Sequence, residues 1–148
     1  MADPAVTTGR YHQAGGRGGW YASSSEAGAW AELFRHHEAG GIAPSEVIRR
    51  IGRARVRKLR VLDLTNPRVR EAFGVSEAEL TSDDLGECQR IADYARDAGY
   101  DGVLGPSAAL AGNHTIAVFA SGMRNIAAGR SHVGKPPSRV RRFVSGQK

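Results

Sequence analysis

Four residues of the 148-residue chain carry side chains that could act together on one ligand: Arg10, Tyr21, Glu32 and Ser107. An arginine can hold a phosphate as a two-pronged fork. A tyrosine offers a flat face to a planar ring. A carboxylate can hold a pair of ribose hydroxyls and stabilise positive charge growing at an anomeric carbon. A serine in a loop can hydrogen-bond an amide or a phosphate. Such a set suits a dinucleotide. The first three share one supersecondary unit, with Tyr21 eleven residues after Arg10 and Glu32 eleven after Tyr21.

That unit must be built by Arg10 to Glu32. Arg10-Tyr11-His12 sets a cation beside an aromatic ring, and the glycines between Ala14 and Gly19 allow close backbone approach. Trp20-Tyr21-Ala22 reads as a short strand running into a helix, with Ser23 to Ser25 placed to cap its first N–H groups. Ala27, Trp30, Ala31 and Phe34 form the core face of that helix. Glu32 points roughly 160° away from Trp30, on the side of Gly28 and Ala29. The residue alone fits two readings, a solvated glutamate or a carboxylate on a face that a ligand can approach.

Other chemistries find less support. No glycine-rich run leads into Gly-Lys-Ser/Thr, and the glycines at 15–19 do not follow a strand of a βαβ unit. His36 and His37 are adjacent, so on a helix they cannot face one metal as an i, i+4 pair would. His114 reads as a turn residue or a base. The single Cys88 excludes an internal disulfide framework and a cysteine-based zinc site, and its helical position reads as core.

No run of about 18 apolar residues is present, so no membrane helix is expected. The N-terminus lacks an apolar signal segment, and a cytoplasmic protein is expected. The net charge of +6 raises the question of nucleic acid. The first 101 residues hold 14 basic against 15 acidic groups, which argues against a dedicated nucleic-acid reader; the excess sits in the last third, and a nucleic-acid-binding module using that basic tail stays as a further alternative.

Along the chain, Ser45 to about Ile51 reads as a helix after Pro44, and Arg53 to Thr65 as one strand with an exposed basic end. Asn66-Pro67 starts a short helix that ends at Gly74. Ser76 to Glu79 matches a capping box. Thr81 or Ser82 caps a helix over 83–98, with Leu85, Cys88, Ala92 and Ala95 inward and Gly99 as its stop. Strands follow near 102–105 and 115–119, joined through Ser107 and the Gly112-Asn113 turn. The expected organisation is a disordered N-terminus over 1–9, one domain over 10–122 and a basic tail over 123–148. The fold class is mixed α/β, of the α+β kind.

In their order and spacing these stretches resemble the RES domain family, toxins of RES–Xre toxin–antitoxin systems. The matching segments are Gly9 to His12, Trp20 to Ser23 leading to Ala31-Glu32, Val61 to Thr65 with Pro67, Cys88 to Ala92, Gly99 to Leu104, Pro106 to Ala108 and Ala117 to Phe119. The resemblance implies a single domain similar to the ADP-ribosyltransferase toxins, with a small mixed sheet and flanking helices. It implies consumption of NAD⁺ by hydrolysis, phosphorolysis or ADP-ribosyl transfer, without a metal. Arg10, Glu32 and Ser107 are then the expected catalytic residues, and Arg10, Tyr21, Ser107 and Asn113 the expected substrate contacts. An Xre-type antitoxin is the implied partner, with nucleic acid reached only through it, and a homo-oligomer is compatible. The family pattern also carries an arginine well upstream of Arg10, on a first strand that the nine preceding residues do not supply. A non-catalytic RES-like partner protein is therefore the alternative expectation.

Overall fold

The structure, a computed structural model, describes residues 10–12, 19–37 and 49–134, with the backbone alone at 34–37 and 49–50. Its centre is a four-stranded sheet in the order β1, β5, β4, β3. The strands are β1 (Gly19–Ser23), β3 (Val61–Asp63), β4 (Gly102–Pro106) and β5 (His114–Phe119). β3 and β4 run parallel, while β5 is antiparallel to both β4 and β1. Tyr21, Ala117, Val103 and Leu62 therefore stand in one cross-strand row. The helix α4 (Gly86–Asp97) covers that row with Cys88, Ile91, Ala92 and Ala95, all fully buried. Cys88 is a small core residue, as its spacing suggests.

α1 (Glu26–His37) makes a second apolar cluster from Trp30 and Ala31, packed on Ala109 and Leu110. Two shorter helices form where the sequence carries caps. α2 (Pro67–Phe73) begins at Asn66, whose side chain accepts from Arg68 N, and ends at Gly74 in the left-handed conformation. α3 (Glu77–Thr81) begins at Ser76 with both halves of the capping box made.

Three expectations are corrected. Arg53 to Thr65 is not one strand: β2 (Arg49–Val56) ends before Lys58, which takes a left-handed φ of 55°, and β3 begins at Val61 in a different sheet. A helix over Ser45 to Ile51 is not reached, because Arg49 to Ile51 already belong to β2; residues 45–48 lie outside the described residues. α4 starts at Gly86 rather than Asp83. The Ser82 hydroxyl donates to Glu79 O and Asp84 O, and Asp84 Oδ1 accepts from Gly86 N, so 82–85 form a turn between α3 and α4.

Residues 120–125 form a 3-10 turn, and β6 (Ile126–Gly134) pairs antiparallel with β2. The start of the basic tail is thus a strand. The ribbon leans on α1 through Ile51, which packs on the Trp30 cluster, and through His132, whose Nε2 lies 3.0 Å from Glu26 Oε1. The expected disordered residues 1–9 and the end of the chain from 135 lie outside the described residues.

Candidate active site

The topology brings one end of every strand of the main sheet together. β3 and β4 finish there, at Asp63 and Pro106, β5 starts there at His114, and β1 finishes there at Ser23. Ligand sites in open sheets with parallel strands favour the carboxyl ends, and the polar candidates gather here.

Ser107 follows β4 and is 6% exposed. Its hydroxyl accepts from Ala109 N and Leu110 N, each at 3.2 Å, and donates to Glu32 Oε1 at 3.2 Å. The two residues stand 75 positions apart in sequence. The carboxylate on α1 is therefore held by a hydroxyl whose own position is set by two backbone amides. Glu32 is half-buried and bonded to Ser107, so it is not a fully solvated glutamate.

Asn113 ties the same loop together. Its carbonyl accepts from Ser107 N at 2.8 Å, and its Oδ1 accepts from the Ser25 hydroxyl. Ser25 Oγ also accepts from Gly28 N at 3.0 Å, so it is the serine that caps α1. The neighbouring Ser24 extends the β1–β5 pairing, giving its N–H to His114 O and accepting from His114 N, both at 2.9 Å. Gly28 leaves room for this closeness: a Cβ there would lie 3.3 Å from Ser25 Oγ and 3.4 Å from Asn113 Oδ1.

A shallow cleft of about 140 Å³ opens at this end, lined by Thr65, Arg70, Glu77, Ser107, Asn113 and His114, with Pro106 and Gly112. Glu32 does not line it and reaches it through Ser107. Thr65 N is fixed by Asp63 Oδ1 at 2.9 Å, and Arg70 Nη1 donates to Leu64 O at 2.9 Å. Sequence reasoning missed Thr65, Arg70 and Glu77. The turn residues Asp63, Asn66 and Pro67 were the available signal, since they fold α2 back over the end of β3.

Arg10 and Tyr21 form a separate group. Arg10 Nη1 donates to Leu80 O at 2.9 Å and Ser82 O at 2.8 Å, where α3 ends and its carbonyls lack helical partners. Tyr21 Oη accepts from Tyr11 N at 3.0 Å and lies 2.8 Å from His12 Nδ1. Burial pushes the Tyr21 hydroxyl up to about 12, against the lowering effect of the Tyr11 N–H and the Arg96 and Arg10 charges. Burial raises Tyr11 well above the ordinary tyrosine value, and also raises Cys88. α4 fastens this segment from below: Arg96 Nη2 donates to Tyr11 O at 2.9 Å and Gln89 Nε2 to His12 O at 3.2 Å. Tyr11 connects the two groups, because its hydroxyl occupies the place where a Cβ on Gly105 would stand, two residues before Ser107.

Among the described residues, no three His, Cys, Asp or Glu side chains are grouped to hold a metal ion. No helix among them is long and apolar enough to cross a membrane.

A sheet of this topology with a serine-held carboxylate at its polar end defines a mixed α/β domain with a half-buried acid beside a cleft. The RES domain family model matches residues 1–139, and the chain belongs to that family. A Mycobacterium tuberculosis protein named "Probable NAD(+) phosphorylase Rv3189" is 54% identical over 139 residues, which span 94% of this chain and 66% of that protein. The fold is similar to a chain in the crystal structure of the M. tuberculosis MbcT–MbcA toxin–antitoxin complex. The TM-score is 0.72 at 24% identity, over 94% of this chain and 77% of that one.

Proposed function

We propose that this protein consumes NAD⁺ by breaking the bond between nicotinamide and ribose, as the toxin of a toxin–antitoxin pair. The observation that carries the reading is the hydrogen bond from Ser107 Oγ to Glu32 Oε1, in a RES family chain 54% identical to a protein named for NAD⁺ phosphorolysis.

In the proposed reaction the C1′–N bond breaks and its electron pair leaves with nicotinamide, which departs neutral. The ribose carbon becomes cationic as this happens. A fixed anion beside it is worth more in the transition state than in the ground state, and only such differential stabilisation accelerates the step. Glu32 supplies the anion. Ser107 orients it, so little reorganisation is needed when charge develops. An oxygen of phosphate, or of water, then forms the new bond to C1′; a water acceptor gives up its proton to solvent. The relative's name favours phosphate. Arg70, at the mouth of the cleft, is the cation placed to steady a phosphate group. Asn113 contributes by holding the Ser107 loop.

Arg10 and Tyr21 enter this reading as a support for the floor of the site. Nη1 of Arg10 serves α3, and the guanidinium has further N–H donors for a substrate phosphate. The domain, its Xre-type antitoxin, a cytoplasmic location and any homo-oligomer belong to the same proposal. The non-catalytic partner remains its rival.

The test is incubation of the purified protein with NAD⁺, with and without inorganic phosphate, followed by chromatography. Nicotinamide release, with a phosphorylated ADP-ribose product only when phosphate is present, is the expected result. Absence of release in water, phosphate and cell extract alike would leave the non-catalytic partner standing.

A further inference from the structure

The sheet pairing joins two basic segments that are far apart in sequence. Residues 49–60 carry seven basic side chains and residues 124–148 carry seven more, and neither segment has an Asp or Glu. The rest of the chain has seven basic against 15 acidic residues. β2 and β6 lie within the two basic segments and pair with each other. Of the basic side chains, Arg49, Arg50, Arg53, Arg55 and Arg130 lie on the two strands, which hold no acidic residue, so the described residues set a basic two-stranded ribbon beside an acidic body. Averaging over the first 101 residues hides this, because the acidic body cancels the ribbon's β2 strand.

The ribbon's cations are exposed. Arg53, Arg55 and Arg57 recur at alternate positions, and Arg53, Arg55, Arg57, Lys58 and Arg130 all stand in solvent without an acidic partner among the described residues. Arg55 stands within the paired strand, Arg53 sits at the break in its register between Gly52 and Ala54, and Arg57 follows directly after its end. Between these cations the ribbon carries small residues, Gly52, Ala54, Ala127, Ala128 and Gly129, along with Ile51, Val56, Ile126, His132 and Val133. The ribbon has no aromatic residue, and Val133 is its one strongly exposed large apolar side chain among the described residues. A protein-binding surface is anchored by buried aromatic or aliphatic side chains, and this one is not. Arginine forks match phosphate oxygens. A two-stranded ribbon fits the major groove of B-form DNA, whereas the major groove of duplex RNA is too narrow and deep.

We infer that the β2–β6 ribbon binds the phosphate backbone of duplex DNA, without base-stacking residues and so with little sequence preference. This is direct contact by the chain itself, independent of its action on NAD⁺.

The chain is purified as Glu32→Gln, which removes the proposed activity and leaves the ribbon intact. It is titrated by fluorescence anisotropy against a random-sequence DNA duplex over a range of salt. Five phosphate contacts predict a slope of log affinity on log salt of about −4 to −5, at about 0.9 per contact. Adding Arg53→Gln, Arg55→Gln and Arg57→Gln should reduce the slope by about 3 and the low-salt affinity at least tenfold. Arg90→Gln, on α4 beside Glu87, should change neither. An unchanged melting temperature in the triple variant shows that the loss is of binding and not of fold. Should that variant unfold, the single Arg55→Gln change must still shift the slope by about 1. Absence of duplex binding at low salt, or binding indifferent to these changes, overturns the inference. Ribbon-dependent capture of poly-glutamate without duplex binding overturns it in favour of an acidic protein partner. Equal affinity for duplex RNA overturns the groove assignment.

Discussion

Glu32 and Ser107 can be separated by experiment because their bonds differ. Glu32→Gln keeps size and a carbonyl that can accept from Ser107, but removes the charge. Its melting temperature should stay near that of the parent, while NAD⁺ turnover falls ~10²-fold or more, the scale of losing one preorganised electrostatic group. Ser107→Ala removes a hydroxyl that also accepts from Ala109 N and Leu110 N in a buried loop. It should cost about 1–3 kcal/mol of stability for those stranded amides, as well as activity. Thermal melts beside turnover assays distinguish the pair; a stable but inactive Ser107→Ala would show that the loop does not depend on its hydroxyl. Tyr21 gives a prediction in pH. Its folded value of about 12 lies above the ordinary 10, so the folded state holds its proton more tightly than the unfolded chain. The stability tied to that proton is fully present below pH 10 and is lost as pH rises through about 12. Denaturant melts of Tyr21→Phe should be flatter than those of the parent over that window.

At the scale of elements, β4 meets the Arg10–His12 segment at Gly105. A methyl at Gly105 would collide with Tyr11 Oη, on a fully buried ring. Gly105→Ala should destabilise by about 1–3 kcal/mol, the usual cost of overpacking. Tyr11→Phe removes the colliding atom, so the double variant should recover much of the loss. Chemical denaturation of all four forms measures the coupling, and additive losses would mean that β4 shifts instead of striking the ring. Elements with local signals were legible from sequence. Asn66-Pro67 and Gly74 bracket α2, Ser76 and Glu79 open α3, and the Ser23 to Ser25 run marks the join of β1 and α1. The pairing of β2 was not, because Arg, Gly and Ala carry little strand signal and its partner lies over 60 residues on. The break at Lys58 was hidden for a related reason. A left-handed lysine looks like any other in a run of basic residues, where a glycine would have marked the turn. In the site, the residue types Glu32, Ser107 and Asn113 could be named from sequence, but not that Ser107 bonds Glu32. Arg70 and Thr65 could not, because only the fold of α2 over β3 brings them to the cleft.

The whole molecule divides into an acidic α/β body and a basic ribbon that shares few packing contacts with it, chiefly Ile51 on the Trp30 cluster and His132 beside Glu26. Ending the chain after Asn125 removes β6 and every pairing bond of β2. The four-stranded sheet does not use β6, so the truncated chain should keep its main cooperative unfolding transition, at a lower temperature, and should lose duplex binding. Scanning calorimetry would check this; loss of the transition altogether would make the ribbon part of the core.

The order of the strands in the sheet also governs when the site can exist during synthesis. β1, made early, pairs among the described residues with β5 alone, made late, and the Glu32 carboxylate waits for a hydroxyl 75 residues further on. Chains emerge N-terminal end first. A ribosome that has released α1, β2 and α4 has made the acid but neither the loop that aims it nor the strand that seats β1. Activity in the proposed sense begins only when the last third of the domain is out. Interrupted translation therefore yields fragments that are inert, and a cell making such an enzyme has the whole interval of synthesis in which to bring a restraining partner to it.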